Sequence, residues 1–514
     1  MSILFAGDGI PAEIEQAREP AHFTDLNLDQ IVASVTAGRD EYALRPFFHW
    51  PLGGLDAVTY RQEVFQDLER QEVYGLVAAF AQQTLVTKFG YAAKQMEGDL
   101  ADFGHYHRAL HFLNAAGRYC AATVALTGGL SDVSVRSRGL LGLRDRLERY
   151  VGSTAFTELQ AEARRLQDAL RAVSYCVLVK DNRVTVGRYR DEIDYSEQVA
   201  HTFARFQQGA VTDYRDVRPD WKEEEFAEVA VLSLVSKLYP DLFAGLDTFC
   251  RQHAEYLDPA VALADREFQF YLSYLDHIRP LREAGLPFSY ARMSVQSKDE
   301  QALDTFDLAL AAKLVEQGEQ LVCNDVALTG PERILVISGP NNGGKTTLAC
   351  AVGQLHYLAR LGCPVPGREV QLFLCDQIFT HFEKEEDIAT LAGKLQDELN
   401  RLHADLVRAT PASLVILNEV FNSTTAHDAQ FLSRMILGQV CELDALGVCV
   451  TFLDDVSTLN EKTVSVVSQV VADDPATRTY KVIRVPADGR AYARAIAEKH
   501  GLTYEQITGE RRAP

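Results

Sequence analysis

A chain of 514 residues with 47% apolar and 24% charged side chains is too long for one ordinary core and too evenly composed for extended disorder, so two to four folded units are expected. Its formal charge of -21, about -16 of it before residue 331, opposes loose adhesion to nucleic acid or acidic lipid and leaves such contacts to local basic patches. The amino terminus has no basic residue ahead of its apolar stretch, no run of about 18 apolar residues occurs, and the nine scattered cysteines form no CxxC pair; no secretory signal, membrane span, disulfide framework or zinc site is expected, and a cytoplasmic setting is.

Two short amphipathic patterns fill the first 40 residues and end at the charged Arg39-Asp40-Glu41. From Asp56 to about Gly117 apolar residues recur at three- and four-residue spacing, as in Val58, Val64, Phe65, Leu68, Val73, Leu76 and Phe80, which predicts helix. A second helical stretch runs from Ser131 to Arg171 with a break near Gly152-Ser153. Residues 174–189 then read as a hairpin, two β-branched and aromatic runs joined at Lys180-Asp181-Asn182-Arg183. Helical pattern resumes from Trp221 to about Leu281, and Pro280 and Pro287 mark its exit.

After Pro331 the pattern alternates: strand 333–338, helix from Thr346 to Arg360, strand near 370–375, helix 387–409, strand 413–418, helix 427–446 and strand 447–453. Strands such as Leu414-Val415-Ile416-Leu417 are apolar throughout, as a strand buried on both faces requires, and predict a helix-covered, largely parallel sheet.

Within this half, Gly339-Pro340-Asn341-Asn342-Gly343-Gly344-Lys345-Thr346-Thr347 matches the phosphate-loop pattern GxxxxGK[ST], in the confirming context of a strand before and a helix after. Glycines let the backbone wrap an anion, loop amides and the helix amino terminus donate to phosphate oxygens, Lys345 adds a positive charge and Thr346 can ligate Mg2+. About 70 residues later, Ser413-Leu-Val-Ile-Leu-Asn418-Glu419 is an apolar strand delivering polar groups beside the phosphates. Glu419 suits the orientation or deprotonation of an attacking water; Asn418 stands where a metal-side aspartate is usual, so the metal gains a dipole but no charge. A helix cap after a buried strand is the plainer reading of both.

Taken in order, Val322-Cys-Asn324-Asp325-Val326, the phosphate loop, Gly362-Cys-Pro-Val-Pro366, Asp376-Gln-Ile-Phe-Thr380, Asn418-Glu419 and Asn422-Ser-Thr-Thr-Ala-His-Asp428 resemble the ATPase domain of the MutS mismatch-repair family over about 180 residues. Leu44-Arg45-Pro46, Pro51-Leu52 and the run Leu55-Asp56-Ala57-Val58-Thr59-Tyr60-Arg61-Gln62-Glu63-Val64 look like the start of that family's core and lever. The resemblance implies a multidomain protein: a leader over residues 1–40, a mostly α-helical core/lever domain over 41–300 with a hairpin insert at about 173–195, and an α/β P-loop ATPase domain of ABC type over 301–514. It implies ATP and Mg2+ as cofactors and a homodimer that sandwiches ATP. Ser423, Thr424 and Thr425 would reach the partner's nucleotide, and Asp376 and Gln377 would join the nucleotide site in the segment that couples its state to the rest of the protein.

Three features depart from the family pattern. Phe421-Asn422-Ser423 replaces the glycine-rich signature ahead of the serine and threonine residues. The switch histidine after the last core strand is replaced, at Thr451-Phe452, by a phenylalanine that cannot hydrogen-bond a γ-phosphate, and His427 or Asp454 and Asp455 are the residues that could compensate. No mismatch-reading module with a Phe-x-Glu wedge is expected in this chain, since Phe5, Phe23, Phe47 and Phe48 read as core. Nor is an appended nuclease module expected.

Cations collect at Arg136, Arg138, Arg144, Arg146 and Arg149 and around the hairpin at Lys180, Arg183, Arg188 and Arg190, interleaved with Asp145, Glu148, Asp181, Asp191 and Glu192. They read either as phosphate contacts or as solvated, ion-paired faces. The expected function is an ATP-dependent, dimeric DNA clamp on mismatched, branched or otherwise non-B DNA with slow hydrolysis. The alternative is an ATP-gated clamp on a protein partner; a transporter motor is disfavoured because no LSGGQ-like signature appears.

Overall fold

The computed structural model describes residues 2–7, 9–84, 104–181, 183–190, 221–383, 393–471, 474–487 and 502. Contacts divide the chain into two compact units, one of Met1–Gln71, Arg136–Leu140 and Gln269–Pro514, the other of Glu72–Val135 and Leu141–Phe268. Boundaries at residues 40 and 300 follow sequence pattern; the division by contact joins the first 71 residues to the carboxy-terminal region.

The first unit opens with α1 (Leu28–Thr36) and α2 (Leu55–Leu68). The second is helical, with α3 (Gln71–Thr84), α4 (His105–Asp132), α5 (Arg138–Val151) and α6 (Thr154–Arg171), the hairpin β1 (Tyr175–Lys180) and β2 (Arg183–Arg188), then α7 (Trp221–Leu238), α8 (Pro240–Gln252) and α9 (Pro259–Glu283), except that Gln71, the first three residues of α5 and α9 from Gln269 onward belong to the first unit. The expected break at Gly152-Ser153 is real, because the Ser153 hydroxyl accepts from the Phe156 amide and starts α6. Pro280 lies inside α9, which runs to Glu283, so the expected exit at that proline comes one turn later. Residues 85–103 of the expected helix, and Asp191 and Glu192 beyond the hairpin, lie outside the described residues.

Most arginines of the first basic cluster are ion-paired: Arg138 to Asp56 and Glu63 at 2.7 and 3.0 Å, Arg144 to Asp145 at 3.0 Å, Arg146 to Asp258 at 3.7 Å. Arg188 is also engaged, donating to the Leu238 carbonyl at 2.7 Å with its guanidinium over Tyr239. Lys180 and Arg183 flank the hairpin turn and are exposed beside exposed Val177, Leu178 and Val184.

The rest of the first unit carries two main sheets. In chain order come β3 (Arg292–Ser294), β4 (Glu300–Thr305), α10 (Leu308–Gln317), β5 (Asn324–Leu328), β6 (Ile334–Ser338), α11 (Lys345–Arg360), β7 (Glu369–Phe373) and β8 (Ile378–Phe382). α12 (Lys394–Arg408), β9 (Leu414–Asn418), α13 (Ala426–Leu443), β10 (Leu446–Val450), β11 (Thr463–Val471) and β12 (Asp474–Ile483) follow. The larger sheet has the order β8-β9-β10-β6-β11-β12, parallel except for the closing β11–β12 hairpin; the smaller has the order β3-β7-β4-β5. The expected strand near 370–375 therefore exists but belongs to the smaller sheet, and Ile378–Phe382 supplies the edge of the larger one.

One face of the larger sheet packs Ile334, Val336, Val415 and Leu417 against Ile436, Leu437 and Val440 of α13 and Leu402 of α12. α11 is buried all round from Leu348 to Arg360, with polar Gln354 and His356 buried among its apolar residues. A Cβ at Gly353 would come within 2.6 Å of Leu26 and 2.9 Å of Ile416, so the helix is sandwiched between the sheet and the amino-terminal segment. Phe23, Phe47 and Phe48 are buried and Phe5 half-buried, as expected of core. No single helix among the described residues is long and apolar enough to cross a membrane.

The amino-terminal segment is tied down by hydroxyls and one guanidinium. Tyr60 and Tyr271 donate to the carbonyls of Ser2 and Ile3, and fully buried Arg61 donates to Leu4 and Leu361 with its guanidinium over Phe5 and Phe270. α11 ends against this cluster. The Gly362 and Cys363 amides donate to the Ala359 and Leu358 carbonyls with Gly362 at φ 71°, a left-handed helix stop. A Cβ there would lie 2.9 Å from the Arg61 Cβ and 3.2 Å from the Val58 carbonyl oxygen. Gly362→Ala should therefore cost about 2–4 kcal/mol in denaturant unfolding. Gly318→Ala, at the same φ but facing open space, should cost about 1 kcal/mol. Equal costs would remove the steric account.

Candidate functional site

The parallel strands β6, β9 and β10 end side by side, and their last residues launch three loops from one edge of the sheet. All five residues of β6 are buried, which fixes its register between β10 and β11. Beyond Ser338 the chain turns through Gly339 at φ 119°, Asn342 at φ 57° and Gly344 at φ 86° before α11 starts at Lys345. The left-handed turns at both ends curl the backbone into a cup whose floor is the amino terminus of a 16-residue helix, where unpaired amides and the helix dipole favour an anion.

Two glycines are needed for packing as well as for φ. A Cβ at Gly339 would lie 2.9 Å from the Ser468 carbonyl oxygen, and one at Gly343 would lie 2.3 Å from the Ser468 hydroxyl. Strand β11 thus backs directly onto the loop. Ser468 donates to the Gly343 carbonyl at 2.5 Å and Arg478 Nε to the Asn341 carbonyl at 3.0 Å. Neither residue stands out in the sequence as a site residue. The signal that could have drawn attention to them is the β-branched run Thr463-Val-Ser-Val-Val-Ser-Gln-Val-Val471 and its partner strand.

Lys345 is buried at the centre of the cup. Its Nζ donates to the carbonyls of Gly339 and Pro340 at 3.2 and 3.1 Å, stands 3.8 Å from Glu419 Oε1 and lies 4.4 Å from the centroid of the Phe452 ring. Burial lowers its pKa from the ordinary lysine value and nearby Arg478 lowers it further, while the Glu419 carboxylate opposes both. Phe452, noted for replacing a histidine, therefore lies against the lysine. Of the polar groups considered as substitutes, Asp455 accepts from Gln430 at 2.6 Å, His427 is exposed, and the Asp454 side chain lies outside the described residues.

Asn418 ends β9, and its Oδ1 accepts from the Thr346 hydroxyl at 3.0 Å. That separation matches the roughly 2.9 Å between neighbouring oxygens around an octahedral Mg2+ with ligands at about 2.0–2.1 Å, so the donor set fits a hard cation. Glu419 follows at φ 52° with its amide on the Val450 carbonyl, and Phe421 stands at φ 64° with its amide on Glu398 Oε1. A left-handed phenylalanine costs on the order of 1 kcal/mol or more, and its fully buried ring in the α12–α13 core compensates. The backbone conformation that glycine adopts easily is thus present without glycine.

The other expected site residues are distributed unevenly. Ser423 and Thr425 are exposed and Thr424 half-buried in the loop after β9; Thr425 caps α13 by accepting from the Asp428 amide. Thr347 follows Thr346 in the first turn of α11. Asp376 and Gln377 precede β8, roughly 16 Å below the level of Asn418 by strand rise, so the structure does not bring them to the loop. Asp376 accepts from Thr410 and Ser413 at 2.5 and 2.8 Å, and Asp376 and Gln377 line a separate cleft of about 470 Å³ with His22, Arg360, Arg401 and Arg408.

The Lys345–Glu419 contact makes a measurable prediction. In Glu419→Gln the carboxylate that raises the Lys345 pKa is gone, so the neutral amine should appear at lower pH. Competitive acylation followed by mass spectrometry should show the Lys345 labelling midpoint shifted down; a midpoint unchanged or shifted up would contradict the assigned contact.

The family model of MutS domain V matches residues 335–508. The DNA mismatch repair protein MutS of Halalkalibacterium halodurans is 28% identical over 293 residues, 56% of this chain and 33% of that protein. Those of Chloroflexus aurantiacus and Shouchella clausii are 31% identical over 173 residues, 34% of the chain and 17% of the relative, and 27% identical over 304 residues, 57% and 33%. The chain thus matches about a third of the length of the first of these relatives. The phosphate cup lies within the region matched, so residues 335–508 are similar to MutS domain V.

Proposed function

We propose that the protein is an ATPase of the MutS type whose carboxy-terminal region, residues 301–514, is an ABC-type motor. The observation that carries this reading is the Lys345 ammonium in a glycine-built cup at a helix amino terminus, with a carboxylate 3.8 Å away. In the nucleotide-bound state Lys345 exchanges the Gly339 and Pro340 carbonyls for phosphate oxygens, and the amides of residues 341–347 donate to the same chain of oxygens. Thr346 and Asn418 hold the metal, directly or through its water shell. MgATP supplies an electrophilic phosphorus with a good leaving group. Glu419 orients the attacking water and accepts its proton.

Two features favour slow turnover. Asn418 adds no charge beside the metal, and Phe452 lies against Lys345 where a hydrogen-bonding side chain would respond to a γ-phosphate. The exposure of Ser423 and Thr425 supports a dimer in which that loop reaches the partner's nucleotide. The relatives carry the name DNA mismatch repair protein, and from this comes the proposal that the dimer clamps mismatched, branched or otherwise non-B DNA, with Lys180 and Arg183 at the hairpin tip as its phosphate contacts. The ion pairs on Arg138, Arg144 and Arg146 favour the second reading, an ATP-gated clamp on a protein, because they spend the cations that DNA would use.

Steady-state ATPase and filter-binding assays with duplex, mismatched and branched DNA test motor and ligand together. Lys345→Ala should weaken nucleotide binding at least about 100-fold, whereas Glu419→Gln should bind nucleotide normally and turn over at least about 100-fold more slowly. Parental turnover in Glu419→Gln would overturn the catalytic assignment. Loss of ATP stimulation and of binding for every DNA form at low salt would leave the protein-clamp reading.

A further inference from the structure

Arg478 and Ser468 reach the phosphate cup from outside, and both hold a carbonyl of the loop. A peptide unit is planar and trans, so a carbonyl fixed outward turns the following amide inward. Holding the Asn341 carbonyl directs the Asn342 N–H, and holding the Gly343 carbonyl directs the Gly344 N–H, towards the space where an anion would lie. We propose that Ser468 and Arg478 are positioning residues that preset these two amides for a phosphate chain, with Asn324 anchoring the hairpin that carries them. This inference rests on the nucleotide reading above.

The hairpin's own geometry supports a positioning role. Ser468 pairs with Val482 and Val470 with Arg478, so three residues of β12, Thr479 to Lys481, stand opposite Gln469 alone. This bulge puts Tyr480 at φ 58°, a left-handed conformation that an aromatic residue adopts at a cost of about 1–2 kcal/mol. The strain is held in place from β5: Asn324 Nδ2 donates to the Tyr480 carbonyl at 3.1 Å, its Oδ1 accepts from the Val482 amide at 2.8 Å, and Lys481 reaches the Cys323 carbonyl. Bulges re-aim side chains, and this one turns Arg478 from the strand ladder onto the loop. Gly339 and Gly343 complete the fit, because only residues without a Cβ let Ser468 approach so closely. Arg478 also sets a second cation beside Lys345, an arrangement that an intervening anion relieves.

Calorimetric titration of the full chain with MgADP, at low and high salt, tests the proposal in the parent, Arg478→Gln, Arg478→Lys, Ser468→Ala and Lys345→Ala proteins, with unfolding midpoints taken without nucleotide. Arg478→Gln and Ser468→Ala should each weaken MgADP about tenfold at both salt concentrations; the exposed Arg478 contact should leave the nucleotide-free midpoint unmoved, whereas Ser468→Ala should lower it only by the amount one buried hydrogen bond is worth. Affinities equal to the parent's would overturn the proposal. So would an Arg478→Gln loss that Arg478→Lys fully restores and high salt erases, which would mean charge alone, or an Arg478→Gln loss accompanied by a lowered midpoint, which would mean a structural prop. If the parent fails to bind MgADP, the nucleotide reading itself falls; if it binds, Lys345→Ala does not, and the hairpin variants match the parent, only the positioning role falls.

Discussion

Burying an ammonium costs several kcal/mol unless dipoles and charges answer it, and Lys345 is answered from four directions. Two carbonyls of its own loop accept its hydrogen bonds, the Phe452 ring lies across it, and Glu419 stands within ion-pair range. The four partners arrive on three segments: the loop after β6, the loop after β10, and the turn after β9. The site is therefore a property of the strand order. Only because β9, β10 and β6 are parallel neighbours do their ends converge on one ammonium. The arrangement is also replaceable in kind, since loop carbonyls and an aromatic face are weaker partners for a cation than a polyphosphate would be.

The rest of the first unit keeps that convergence rigid. α11 begins at Lys345 and ends at Arg360, just before Gly362 turns the chain against Arg61 and the amino-terminal segment. Because the helix is buried on all sides, its amino terminus has little freedom to shift with respect to the sheet. On the opposite flank, β11 touches the loop with no intervening side chain at Gly339 and Gly343. The loop is thus held by a helix from below and a hairpin from behind.

Much of this was legible because it depends on local pattern. The apolar strands 334–338 and 414–418, the glycines of the loop and the helix that follows are signals of period and composition, and they appear within a residue or two of their expected bounds. What resisted reading depends on chain parts distant in sequence. Asp376-Gln377 sits in a matching motif, yet strand direction puts it at the far end of the sheet from the loop. The first 40 residues read as a leader, but Tyr60, Arg61 and Tyr271 hold their backbone carbonyls inside the first unit. Phe421 breaks the glycine pattern in sequence while keeping the left-handed backbone, because its ring has a core to enter. Ser468 and Arg478 bear on the site through backbone carbonyls, a kind of contact that leaves no residue-type signature.

The central claim is that one cup holds the polyphosphate and that Lys345 changes partners when it does so. A structure of the full chain determined with Mg2+ and a non-hydrolysable ATP analogue tests it most directly. The account predicts the Lys345 Nζ on phosphate oxygens and no longer on the Gly339 and Pro340 carbonyls, with Thr346 and Asn418 beside the metal. A nucleotide bound elsewhere, or one bound in the cup with Lys345 still on its own carbonyls, would contradict it.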